Sequence, residues 1–93
     1  MENKIELKLI KENERGKNYQ ADNFKICYRY KDTIAGDNSE NPEEVIFLIN
    51  GSAEITLKDS SWIVESPTKI EFPVKTYHRI KAITDISFIL FEK

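Results

Sequence analysis

The chain of 93 residues has one histidine and one cysteine, and only three glycines and three prolines. Each shortage closes off a class of protein. A lone cysteine, Cys27, permits no internal disulfide framework, and without a signal-peptide pattern the expected setting is a reducing cytoplasm. A lone histidine, His78, makes a poor trap for Zn²⁺ or Cu²⁺, and for Fe²⁺ held by a facial triad with two imidazoles. Neither sign of charge dominates: 14 basic residues stand against 16 acidic ones, for a net charge of −2. That balance leaves no electrostatic footprint for nucleic acid or an anionic membrane, so neither partner is expected. No apolar run approaches the roughly 20 residues that cross a bilayer as a helix. Linkers, repeats and low-complexity segments are also lacking, so residues 1–93 read as a single domain.

What the chain does have is a series of short β-prone runs separated by turn signals. Residues 4–10, 24–30, 44–50, 52–58, 61–66, 68–72, 77–83 and 86–92 predict eight strands. The polar stretch 11–23 reads as a loop with a turn-forming Gly16, able to wind into a turn or two of helix. A second loop spans 31–43 and is rich in Gly, Asn, Asp and Pro. Strands this short, with no crossover helix between them, predict an all-β antiparallel sandwich or barrel of jelly-roll type.

Alternation decides which side chains point inward. In 24–30, Phe24, Ile26, Tyr28 and Tyr30 share one side, and Lys25, Cys27 and Arg29 the other. The aromatic side is expected in the core, with the hydroxyls of Tyr28 and Tyr30 available to a ligand. Asn50-Gly51 between apolar runs predicts a two-residue type I′ hairpin. Counted outward from that turn, Leu48 faces Ala53, Ile46 faces Ile55 and Glu44 faces Leu57, which places Glu44 on the more apolar face. In 77–83, His78 keeps company with Ile80 and Ala82, opposite Tyr77, Arg79 and Lys81. Two ionisable side chains, Glu44 and His78, are therefore expected to point inward, where unpaired charge is costly.

The segments "ENPEEVIFLINGSAEITL" and "FPVKTYHRI" resemble the two signature motifs of the cupin superfamily. Glu44, six residues and Gly51 match the end of the first motif, and Pro73 followed by His78 matches the second. The resemblance covers roughly residues 24–91, with 1–23 an N-terminal strand and loop outside it. It implies an antiparallel double-stranded β-helix, the cupin barrel. Metal-binding cupins carry a His-x-His pair shortly before the glutamate; here those places hold Asn38 and Glu40, or Asp37 and Ser39 with the spacing one longer. A motif glycine is replaced by Lys75 and a closing asparagine by Ala82.

Two readings of the inward pair follow. In one, Glu40, Glu44, His78 and Asn38 hold a divalent metal, an oxygen-rich set that favours Mn²⁺, Mg²⁺ or Ca²⁺ over Zn²⁺, Cu²⁺ or Fe²⁺. In the other there is no obligatory metal, and Glu44 pairs with His78 directly. That pair then floors a pocket for a small polar molecule, lined also by Lys75, Tyr28 and Tyr30, or it acts as an acid–base dyad with His78 and Glu44 catalytic. The enzyme that the resemblance implies is isomerase-like and acts on a sugar, a sugar phosphate or a small organic acid. Arg79 is expected on a solvated face with Lys81. Val45, Phe47 and Ile49, with Trp62 or Ile63, form an apolar strip expected to join two copies into a homodimer.

Overall fold

The computed structural model describes residues 3–38 and 42–92, with backbone only at 37 and 38. Its strands are β1 (Lys8–Asn13), β2 (Gly16–Gln20), β3 (Lys25–Arg29), β4 (Ile34–Asn38), β5 (Glu44–Asn50), β6 (Ser52–Leu57), β7 (Ser60–Glu65), β8 (Thr68–Phe72), β9 (His78–Ala82) and β10 (Ile86–Glu92). They form a six-stranded sheet in the order β1-β2-β3-β10-β5-β8 and a four-stranded sheet in the order β4-β9-β6-β7. Every pairing is antiparallel. Among the described residues no helix is long and apolar enough to cross a membrane.

Two strands occupy stretches that read as loops. Residues 11–20 complete β1 and form β2, a hairpin whose ladder runs from Lys8 opposite Gln20 to Asn13 opposite Gly16. Its side chains are mostly polar, so no apolar alternation marks it in the sequence. The first strand correspondingly begins at Lys8 instead of Lys4. In the second loop, β4 pairs with β9 through a bulge in which Asp37 and Asn38 both oppose His78.

Asn50-Gly51 is a corner between sheets and not a hairpin. β5 lies between β10 and β8, whereas β6 lies between β9 and β7, so the two consecutive strands do not pair. Gly51 makes the crossing at φ +92°. A Cβ there would collide with the carbonyl oxygen of Asp85 and would stand 2.6 Å from Thr84 Oγ1, so both conformation and space call for glycine. The expected ladder partners are therefore wrong, but the parity survives the corner. Ile46, Leu48, Ala53 and Ile55 are all buried in one core, brought together from opposite sheets.

β3 is turned the other way from the expectation. Cys27 lies in the core, while Tyr28 and Tyr30 are 39% and 41% exposed. The reason is that the outer face of the six-stranded sheet is itself apolar. Phe24 packs on Phe91 at 5.4 Å, Phe91 meets Phe47 edge-on at 5.8 Å, and Ile26 pairs with Ile89. Val45 belongs to this outer row and is buried, whereas Phe47 and Ile49 remain exposed. Ile63 and Trp62 stand on β7 in the other sheet, so the apolar strip expected from the sequence is divided between two surfaces.

Two stability measurements check this packing. Gly51→Ala is expected to cost about 2–4 kcal/mol in urea unfolding, from a strained φ plus overlap with the backbone at Asp85; a cost below about 0.5 kcal/mol would contradict the corner. Burial pushes the Cys27 thiol up from 9.0 to about 11. The folded chain thus holds this proton more tightly than the unfolded one, a stabilisation complete below pH 9.0 and lost as pH rises to about 11. Stability should fall on the order of 2 kcal/mol more steeply over that window in the native chain than in Cys27→Ala. Parallel pH curves would show that the thiol is not buried as described.

Candidate functional site

The site grows out of two strands in different sheets. Alternation along β9 sends His78, Ile80 and Ala82 inward, and leaves Arg79 and Lys81 on the other face, as expected. Arg79 Nη2 lies 3.4 Å from Glu54 Oε1 on the neighbouring β6. Glu44 is the first residue of β5, and its side chain keeps 15% of its surface exposed, against 1% for His78. His78 Nε2 is 3.3 Å from Glu44 Oε1, so a proton on Nε2 has the carboxylate as its acceptor. The contact joins the six-stranded sheet to the four-stranded one, and each group offsets the desolvation of the other.

The imidazole is held on further sides. Phe72 stacks on it with ring centroids 4.0 Å apart and planes inclined by 18°. Gly36, at φ +77°, packs against its edge: a Cβ there would lie 2.9 Å from Cδ2 and 3.0 Å from Nε2. Nδ1 is buried and has no hydrogen-bond partner among the described residues. Neither Phe72 nor Gly36 stands out as a site residue in the sequence. Only the scarcity of glycine, and the position of Phe72 just ahead of Pro73, hint at their importance.

Beside the pair lies a hollow of about 230 Å³ lined by Glu43, Glu44, Val45, Glu71, Phe72 and Pro73. Glu44 and Phe72 each touch both the hollow and His78. The other candidates are placed differently. Tyr28 and Tyr30 lie on the exterior, with their strand neighbour Cys27, not the tyrosines, facing the core. Lys75 is exposed between β8 and β9 at φ +53°, a left-handed conformation that accounts for the glycine at this place in the cupin motif. The backbone of Asn38 runs opposite His78, while its side chain and the whole of Glu40 lie outside the described residues.

These donors can be weighed against the metal that many cupin barrels hold. Among the described residues no three His, Cys, Asp or Glu side chains converge as a metal group would need. The two that do converge, His78 and Glu44, are turned on each other at 3.3 Å. Of the four candidate ligands the described side chains are thus one imidazole and one carboxylate in mutual contact, short of the four to six ligands that a divalent ion takes.

Comparison with known proteins places this backbone. No family profile matches the sequence, and no curated protein matches it either. Solved structures do. The capsular polysaccharide assembling protein CapF from Staphylococcus aureus superimposes with a TM-score of 0.79 at 14% identity, over 96% of this chain and 28% of CapF, so the chain spans under a third of that protein. A Cupin 2 conserved barrel domain protein from Salinispora arenicola superimposes with a TM-score of 0.69 at 13% identity, covering 100% of this chain and 89% of that one. A cupin-2 domain protein from Rhodospirillum rubrum gives 0.74 at 10% identity, over 94% of this chain and 68% of that one. At such identities the agreement is one of backbone, and it establishes the architecture expected from the two motifs: the chain folds as a cupin barrel.

Proposed function

We propose that the chain is a small-molecule-binding protein of the cupin type that works without an obligatory metal. Its ligand is a small polar molecule rich in hydrogen-bond donors, received at Glu44. The observation that carries this reading is the double placement of Glu44. Its Oε1 meets His78 in the interior, its side chain is still partly exposed, and the same residue lines the hollow with Glu43 and Glu71. A ligand hydroxyl or amine entering there finds acceptors, not donors, and an apolar wall in Phe72 and Pro73.

The same contact supports a second reading. A carboxylate reached by ligand on one side and backed by an imidazole on the other is an acid–base arrangement: Glu44 takes a proton from the ligand, and His78 steadies the carboxylate's charge and orientation. The activity in that case is isomerase-like, on a sugar, a sugar phosphate or a small organic acid.

Three outcomes are expected. His78→Ala costs about 3 kcal/mol in urea unfolding, because it opens a cavity beneath Phe72 and strands the carboxylate, while Glu44→Gln costs about 1 kcal/mol. The double variant should lose less than the sum, and strict additivity would dissolve the pair as an interacting unit. Tag-free protein should carry substoichiometric metal and shift its melting temperature by less than about 1 °C with Mn²⁺, Ni²⁺, Zn²⁺ or Fe²⁺. One equivalent of retained metal with a shift of several degrees would overturn the metal-free reading. Among neutral polyols, sugars and amines, a stabilising compound should lose its effect in Glu44→Gln. Turnover of that compound, abolished in the same variant, would favour the enzyme.

A further inference from the structure

The inner wall of the six-stranded sheet changes character toward its β1 edge. The ladder aligns Cys27 with Asn18 and Lys11, and Arg29 with Gly16 and Asn13. Cross-strand partners share a face, so these polar residues lie on the interior side with Cys27. The four-stranded sheet has no strand to cover them fully; β4 closes the far side with Ile34, Ala35 and Gly36. The result is a crevice of about 110 Å³ separate from the hollow at Glu44.

Its cations form no ion pair among the described residues. Arg29 is half-buried, with its guanidinium 5.8 Å from the Phe88 ring centre and Nη1 donating to Asn18 Oδ1 and to the Tyr28 carbonyl, each at 2.7 Å. Among the described residues the ion pairs occupy Lys4, Lys25, Lys69, His78 and Arg79, and none includes Arg29, Arg15 or Lys11. Burial, and Arg15 nearby, lower the pKa of Arg29, which means that its charge is held at a cost an anion would relieve. Lys17 also lines the crevice, but its ammonium leans over Tyr19 and Tyr28 on the outer face. Glu12 is aligned with Lys17, on that same outer parity.

We propose that this crevice is an oxyanion site for one phosphate group, bound by Arg29, Arg15 and Lys11 with the amides of Asn13 and Asn18. Three cations lining one crevice, from β1, β3 and the β1–β2 turn, suit a tetrahedral dianion with acceptor oxygens on several sides better than a planar monocarboxylate. Closure by β4 suits a single terminal group and not the passing backbone of a nucleic acid. The site goes beyond the reading of Glu44, since it rests on different residues and a different cavity.

Calorimetric titration with inorganic phosphate, ribose 5-phosphate and acetate, at ionic strength fixed with sodium chloride, tests the site. Phosphate and ribose 5-phosphate should bind, and acetate should be at least about tenfold weaker. Tighter binding of ribose 5-phosphate assigns a phosphomonoester, and equal binding assigns the phosphate group alone. Lys11→Gln and Arg15→Gln should each weaken phosphate by about tenfold, and Lys69→Gln, on the far side of the sheet, by less than about twofold. Arg29→Gln should weaken it further; because that change also removes the bond to Asn18, the two surface variants decide the matter if it fails to fold. Equal affinity for acetate, unchanged phosphate affinity in the Lys11→Gln/Arg15→Gln double variant, or binding of a single-stranded oligonucleotide in preference to phosphate would overturn the proposal.

Discussion

The turn at Gly51 is the constraint from which the interior follows. A single residue passes the chain from the middle of one sheet to the middle of the other, because β5 and β6 are each inner strands. Alternation carried through so short a connection keeps Ile46 and Leu48 on the same buried side as Ala53 and Ile55. The sheets are thereby locked face to face, with β10 and β8 flanking β5, and β9 and β7 flanking β6. The chain can do this only where a backbone without a side chain fits against Thr84, Asp85 and Ile86.

Polar groups are admitted to that interior at its rims, where they have partners. His78 is buried as deeply as the aliphatic core, yet it is stacked on Phe72, bounded by Gly36 and matched by a carboxylate from the opposite sheet. The energetic interest of such a pair lies less in its net contribution than in the penalty for breaking it. It fixes which residues of β5 and β9 may face one another. Arg29 is treated differently: it rests on Phe88 and is tied to Asn18, with no carboxylate among its described partners. One rim thus holds a closed pair and the other a cation held open.

Much of the architecture was legible in the sequence, and the failures have a common cause. Seven of the eight strand runs, the jelly-roll class and the inward placement of Glu44 and His78 rest on apolar alternation, which the core-forming strands display; the run at 4–10 alternates as well, yet Ile5 and Leu7 stay exposed and outside β1. The hairpin β1–β2 and the strand β4 bury little apolar surface, so alternation could not reveal them. For β3 the same rule pointed the aromatic side inward, but the outer face carries the row of Phe24, Phe91 and Phe47, while the inner face near Arg29 is polar. Asn50-Gly51 was recognisable as a turn, yet a positive φ at glycine serves a corner as readily as a hairpin. Only the choice of neighbours, a long-range property, separates the two.

The unequal size of the sheets divides the labour of the chain. None of the residues in the buried hydrophobic cluster comes from β1 or β2, although this hairpin supplies Lys11, Asn13, Arg15 and Asn18 to the crevice. Substitutions of the Lys11, Asn13 and Arg15 side chains therefore leave that cluster untouched, whereas Gly16 and the ladder to β3 remain part of the fold. Those side chains can change, and with them the ligand preference, without repacking the barrel behind them.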